Sequence, residues 1–523
     1  MKASTLHTAL AAMLLVVVSA AAAGADCEEP SLLTAAQWRE DVIATHDALR
    51  TIHPQPFAEV AEASLQTAAE SLLADIPCLS DQQVFARLAQ LVALLRDGHT
   101  RLAIPRADPA RGLDIGHTGT PPPKIPLAFA RLPLEFSVFE DGVFVTATTA
   151  EYGQWLGARL NTYDGVALAP LLEVLASIAF AENDSATRLK VADRLSYPEL
   201  VSALGLTADS PDTTLELEPP GKPLTRLVVS AATPGSDWLD GFGDRPPLHL
   251  SQPDTKYHAD YLPELDLHYV AINEIGDAPD GPGLVPFFAA QVALAAQRDA
   301  RLVVDLRHNF GGAGDLNRGL LLALLNSEEI NRYGRSYMLI GRRTFSAAQA
   351  LLNDLEAYSE VLFVGEDSGS MPDHYGDSKK LQLPNSGLTL RVSALHWSSW
   401  LAGDARRHTS PLIAAPWNSE LWFAGRDPAL EAIAALPADL SPLEVLERGL
   451  LREDQITVYR VLDRLVNTAS PVQEEFWQAL LALGHELLER DEPGAARLCF
   501  LYGRYYYPAE EGFAAALEAL PGA

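Results

Sequence analysis

Apolar positions recur at helical spacing from about residue 31 to residue 102, with interruptions at His53-Pro54 and at Pro77-Cys78. Proline disfavours helix at its own position and at the one before it, so this stretch predicts a small all-helical module, 26–110, broken at those two points. The segment PRADPARGLDIGHTGTPPPKIP is rich in Pro and Gly and reads as a linker. LEFSVFEDGVFVTATT then alternates around Asp141-Gly142, a pair suited to a two-residue hairpin turn, and GARLNTYDGV continues with short strands. These predict a β-rich module over 125–235, with one helical stretch near 168–205.

Over 246–436 strand and helix patterns alternate. LDLHYVAINEI, ARLVVDLRHN, SYMLIGRR, VLFVGED and GLTLRVSALHW read as strands, and LVPFFAAQVALAAQ and GDLNRGLLLALLN as helices, which predicts a layered α/β domain. Over 441–523 the pattern is helical to the end, as in tetratricopeptide-like hairpins, without a countable repeat. At 523 residues the chain exceeds what one core usually supports, so a multidomain α/β protein is expected.

Charge and leader pattern narrow the partners. A net charge of −30 repels phosphates and anionic lipid, which argues against nucleic-acid or membrane partners. One lysine, an apolar run from about Ala9 to Ala23 and the small residues Ala23-Gly24-Ala25 form a signal-peptide pattern over 1–25. It predicts a periplasmic or secreted product, and Asp26 before Cys27 speaks against a lipid anchor. No later run approaches the roughly 20 apolar residues of a membrane span. Of the three cysteines, Cys27 and Cys78 are expected to pair after export and Cys499 to be a buried thiol; their spacing suggests no metal site.

Ser346, in RRTFSAAQALL, falls where a strand turns into a helix. Serines there commonly cap the helix, but the unpaired amides and the dipole of a helix N-terminus also stabilise an oxyanion. VVDLRHNFGGAGD, RRTFSAAQALL, LFVGEDSGSMPDHYGDSKKLQLPNSGLTLRVS and LVALLRDGHTRL occur together and in order. Together they resemble the C-terminal-processing and tricorn-core family of serine peptidases, over roughly residues 31–435. The resemblance implies a crotonase-like catalytic domain preceded by a PDZ-like β-rich module. It implies Ser346 as nucleophile, and as oxyanion donors the N–H groups of Gly312 and Ala347. Tail-specific members place a lysine about 25 residues after the serine; here that position is Met371, and Lys379 and Lys380 read as solvated charges. The tricorn-like branch uses a histidine, which corresponds to His99, and imidazole titrates near neutrality as a general base requires. The alternative for His99 is a turn histidine after a Gly-terminated helix end.

The tricorn core carries a serine directly before that histidine, where this chain has Gly98, so the relay must differ. Asp404 lies where that branch has an acidic residue and is the candidate to orient His99; Asp97, Glu366 and Asp377 are rivals, and a salt bridge to Arg406 is its alternative role. Neither metal nor cofactor is expected, and Gly311 to Gly314 lack the Gly-Lys-Ser/Thr of a phosphate loop. His485-Glu486 is read as a helix-surface pair. The expected activity is hydrolysis of a peptide or protein substrate, with the C-terminal helices open to a protein partner. The alternative is a non-catalytic ligand- or protein-binding member of the same fold.

Overall fold

The computed structural model describes residues 31–107, 121–231, 237–243, 246–467 and 473–520. The signal pattern, Cys27 and most of the Pro/Gly-rich linker lie outside the described residues. Cys78 is disulfide-bonded, and Cys499 is free and buried. No helix among the described residues is long and apolar enough to cross a membrane.

The architecture is mixed α/β with several sheets. At its centre lies a six-stranded sheet in the order Ile413–Ala414, Leu362–Gly365, Ser336–Ile340, Arg301–Asp305, Leu267–Ile272, Tyr257–Leu262, parallel except for its last strand. Parallel strands need both faces covered, and alternate residues divide accordingly. Val270, Ile272, Leu302, Val304, Met338 and Ile340 pack with the helices Leu284–Gln297, Asn317–Leu325 and Ala347–Tyr358. Leu267, Tyr269, Val303, Tyr337, Leu339 and Leu362 face the other way. They share a core with Val445, Leu446, Leu450, Leu480, Phe500 and Phe513, which come from the C-terminal helices. Those helices run Pro442–Leu451, Gln455–Asn467, Gln473–Glu489, Pro493–Tyr506 and Glu511–Glu518. The apolar side of these helices is thus spent on covering the second face of the central sheet.

Of the N-terminal helices Ala35–Ile52, Glu62–Asp75 and Asp81–Ala93, the first two stop at the breaks the prolines predict. Their core is continuous with a separate three-stranded sheet: Trp38, Val42, Val84, Phe85 and Leu88 pack with Leu102, Leu388, Leu390 and Val392. Arg101–Leu102 pairs antiparallel with Leu390 and Arg391, and Lys379–Gln382 pairs on the other side of Thr389–Val392. The buried Asp41 carboxylate adds a polar lock, accepting from the N–H groups of Asn385 (2.8 Å) and Ser386 (2.9 Å).

One strand expectation fails informatively. GLTLRVSALHW is two strands, Thr389–Val392 and Leu395–Trp397, in two different sheets. The chain leaves the first sheet at Ser393, whose N–H donates to Thr100 Oγ1 (3.0 Å) and whose Oγ donates to Asp97 Oδ2 (2.6 Å). The β-rich segment forms an antiparallel sheet around the expected hairpin, Leu134–Phe139 with Gly142–Thr149, extended by Arg159–Tyr163, Asp212–Glu218 and Thr225–Ser230. The helical stretch near 168–205 is three helices, Leu168–Ala176, Asp184–Arg194 and Pro198–Ala203.

Two outcomes follow from this packing. A chain ending at residue 440 exposes the Tyr269, Tyr337 and Leu339 face and is expected to be recovered as aggregate, with soluble two-state unfolding as the contrary result. Asp41→Ala leaves the buried Ser386 N–H and the part-buried Asn385 N–H without their acceptor and is expected to lower the unfolding free energy by about 1–3 kcal/mol in urea titration.

Candidate active site

The strand Ser336–Ile340 ends in a turn that Thr344 organises: its Oγ1 donates to Leu306 O (2.9 Å) and accepts from Gly341 N–H (3.0 Å). Phe345 N–H donates to Asn309 O (3.1 Å), which binds the turn to the DLRHNFGG segment. Ser346 follows with φ 57° and ψ −122°, a region costly for any residue with a Cβ. Its side chain makes no capping bond to the helix Ala347–Tyr358 that it precedes. Instead Ser346 Oγ lies 2.9 Å from His99 Nε2, across 247 positions of sequence. Capping, the alternative role, is not the one observed, because the hydroxyl is turned to the imidazole and away from the helix amides.

His99 is held on every side. Its N–H donates to Asp97 Oδ1 (2.9 Å), its carbonyl accepts from Ser378 Oγ (2.9 Å), and its ring stacks on Phe345 with centroids 4.3 Å apart. Two residues on, Arg101–Leu102 form the strand paired with Leu390 and Arg391, so docking of the N-terminal helices fixes the imidazole in place. The hairpin of His374–Gly376 and Leu395–Trp397 walls the site: a Cβ at Gly376 would lie 3.9 Å from His99 Nε2 and 3.2 Å from the Trp397 indole.

Asp404 is not beside His99. Its carboxylate accepts from Arg406 and from Ser399 Oγ (3.0 Å), and Arg406 is shared with Glu356. Arg406, the cation in direct contact, claims it, so the alternative salt-bridge role is the observed one. Glu366 pairs with Arg342 and Asp377 accepts from Trp397 Nε1 (2.8 Å). The carboxylate facing the imidazole is Glu182, with Oε1 3.7 Å from His99 Nδ1; neither atom has a hydrogen-bond partner and both are shielded from water. Glu182 Oε2 accepts from Ser370 Oγ (2.7 Å) and from Met371 N–H (2.8 Å), so the residue at the tail-specific lysine position holds this carboxylate through its backbone. Glu182 was missed because it sits in the break between two helices of a distant segment, in FAEND, with no motif around it. Its one local sign is the following Asn183, which caps the helix Asp184–Arg194.

Gly98 now has a steric reason: a Cβ there would lie 2.7 Å from the Phe345 ring and 3.2 Å from Glu182 Oε1. A serine before the histidine is therefore incompatible with this packing, and the buried carboxylate comes from elsewhere in the chain. Asp97, the other acid near His99, faces backward. It is paired with His53 Nε2 (3.3 Å) and accepts from Ser393. Burial alone pushes its carboxyl up, but the hydrogen bond from His53, the charge of His99 and the bonds from Ser393 and Thr100 together hold it below the usual carboxylate range.

Gly311 lies against the serine and Gly312 against Ile275. A Cβ at Gly311 would meet Ser346 Cβ at 2.7 Å and Ala347 N at 2.9 Å, and one at Gly312 would meet Ile275 O at 2.1 Å, so both positions require glycine. Asn309 shapes the strip by accepting from Gly311 N–H (2.7 Å) and donating to Ile272 O (2.7 Å). Gly311 O and Ala313 N–H bond Ile275, which leaves the Gly312 N–H directed away from that strand. Ala347 is the first residue of its helix, where an amide has no intrahelical acceptor.

Asp97, His99 and Glu182 bring potential metal-ligating atoms within 4.8 Å of one another. Asp97 is already engaged by His53 and Ser393, and Glu182 Oε2 by two donors, so only His99 Nδ1 and Glu182 Oε1 are uncommitted. Two ligands fall short of the three or four protein groups a zinc site uses, and the donor set does not fit a resident metal. Lys379 and Lys380 are exposed, as expected. A third lysine, Lys190, is buried; its ammonium donates to Phe180 O, lies over the Phe345 ring, and is pushed down to about 7 by burial and by Arg101 and Arg194.

Neither a protein-family model nor a curated protein matches the chain. Solved structures do. Mature CPAF complexed with lactacystin is similar at 14% identity and a TM-score of 0.54, over 76% of this chain and 97% of that one. The CPAF serine-to-alanine mutant gives 13%, 0.53, 75% and 95%. The photosystem II D1 C-terminal processing protease, at 15% identity, spans 78% of this chain and 98% of its own with a TM-score of 0.35, too low to argue from. The fold is therefore similar to that of mature CPAF.

A depressed carboxyl contributes stability that is complete above its unfolded value of 3.8 and fades as pH falls toward the lower folded value. Asp97→Asn is accordingly expected to be less stable than the parent in urea titration at pH 7, with the gap closing progressively below about pH 4. A gap that persists unchanged at pH 2.5 contradicts this assignment.

Proposed function

We propose that this chain is a serine-type peptidase that is exported and cleaves peptide bonds in peptide or protein substrates. The observation that carries the reading is the 2.9 Å approach of His99 Nε2 to Ser346 Oγ. His99 takes the hydroxyl proton as Ser346 attacks the scissile carbonyl, then delivers it to the leaving amine. The N–H groups of Gly312 and Ala347 receive the oxyanion, the second of them at a helix N-terminus where the dipole favours negative charge. The resulting acyl-enzyme is released by water that His99 activates in turn.

Glu182 is the positioning residue in this scheme, in place of Asp404. As the imidazole becomes positive, the facing carboxylate is drawn from 3.7 Å toward hydrogen-bond distance, stabilising the ion in a site shielded from water. In the same reading the 246–436 region is the crotonase-like catalytic domain, 125–235 the PDZ-like module and 26–110 the helical module that carries His99. The signal pattern at 1–25 supports export.

Ser346→Ala is expected to lower kcat on a cleaved peptide by at least about 10⁴-fold with an unchanged circular dichroism spectrum. Parental turnover by that variant contradicts the assignment. Glu182→Gln is expected to lose roughly 10²-fold in kcat with KM little changed and a shifted pH–rate profile, whereas Asp404→Asn chiefly lowers thermal stability. Equal kcat losses in the two variants would return the orienting role to neither.

A further inference from the structure

Arg343 differs from the paired arginines around it. Arg307 is clamped between Asp305 and Asp427, Arg335 meets Asp299, Arg406 meets Glu356 and Asp404, and Arg301 donates to the carbonyls of Ile433 and Leu265. Among the described residues Arg343 has no ion pair or hydrogen bond, and its Nε is shielded from water without a partner. What holds it is the face of Phe310, with the guanidinium carbon 4.2 Å from the ring centroid. Burial with only the distant charge of Asp193 to oppose it pushes the guanidinium down to about 10.

Arg343 as a whole is part-buried and only its Nε is fully shielded, and a chain of net charge −30 has carboxylates in excess to place beside it, yet none stands there among the described residues. Its location gives the arrangement a use. Arg343 belongs to the turn that ends in Ser346, and Phe310 immediately precedes Gly311, which lies against Ser346. The stacked pair thus stands where the two segments that build the candidate site meet. An aromatic face fixes the plane of the guanidinium, so its fork is set for a carboxylate before one arrives.

Resting on the peptidase reading, we propose that Arg343 is a specificity-determining residue that binds a carboxylate of the substrate near the scissile bond. That carboxylate is either an acidic side chain or a free C-terminus, since both present the same two oxygens. Phe310 serves as the platform that keeps the guanidinium in position.

The test uses full-length Ser346→Ala protein and fluorescein-labelled alanine-based peptides, each made as free acid and as amide, and with one internal Glu or Gln. Fluorescence anisotropy is expected to show about tenfold or greater preference for one carboxylate-bearing member of a pair. Adding Arg343→Met, which keeps an apolar chain over Phe310, is expected to bring that ratio close to one, while Arg343→Lys retains part of it. Loss of the acid-over-amide ratio assigns the site to C-termini, and loss of the Glu-over-Gln ratio assigns it to side chains. Ratios that survive Arg343→Met, or no preference at all in a correctly folded parent, overturn the proposal; if Arg343→Met does not fold, Arg343→Lys and Phe310→Leu serve in its place. Cleavage of the same peptides by the parental chain is read separately, so an intact carboxylate preference without cleavage counts against the peptidase reading and not against Arg343.

Discussion

The site depends on one docking event. The N-terminal helices share a continuous apolar core with Leu388, Leu390 and Val392, and the two-residue strand Arg101–Leu102 completes a sheet with them. Everything that sets His99 beside Ser346 follows from that contact: the imidazole lies two residues before the strand, and the Asp97–Ser393 and Ser378–His99 bonds cross the same seam. A hydroxyl and a base 247 positions apart are thereby brought to contact distance by hydrophobic burial, with the buried Asp41 lock fixing the register.

Rigidity around the serine comes from a second set of constraints, local to the central sheet. Arg307 is held by Asp305 and Asp427, Asn309 by the Ile272 and Gly311 backbone, and Thr344 by Leu306. Each is buried, and each ties a strand end to the turn that follows it. The cost is visible at Ser346, whose φ of 57° persists because the flanking Phe345 and Ala348 bonds over-determine it. The C-terminal helices contribute indirectly, by covering the sheet face from which these strands rise.

The fold was legible where a pattern is local. The apolar runs of LDLHYVAINEI and ARLVVDLRHN, the Asp-Gly hairpin and the proline breaks all placed their elements correctly. What failed was non-local. The split of GLTLRVSALHW at Ser393 depends on Thr100 and Asp97, nearly 300 positions earlier, which no periodicity in the strand could reveal. The spacing of 58 from Ser346 to Asp404 resembled a family position, yet Arg406 two residues away captures that carboxylate. Glu182 was invisible for the complementary reason: a single acid between helices gains its meaning from Met371 and Ser370 in a distant segment. Gly98, legible only as a departure, becomes a packing requirement once Phe345 is seen against it.

The account is tested most directly by the rate at which a fluorophosphonate labels the intact chain, with the site of attachment mapped by peptide mass. The prediction is attachment at Ser346 with a rate that falls by about 10² or more in His99→Ala. An inert Ser346, or a rate unaffected by loss of the imidazole, would contradict it.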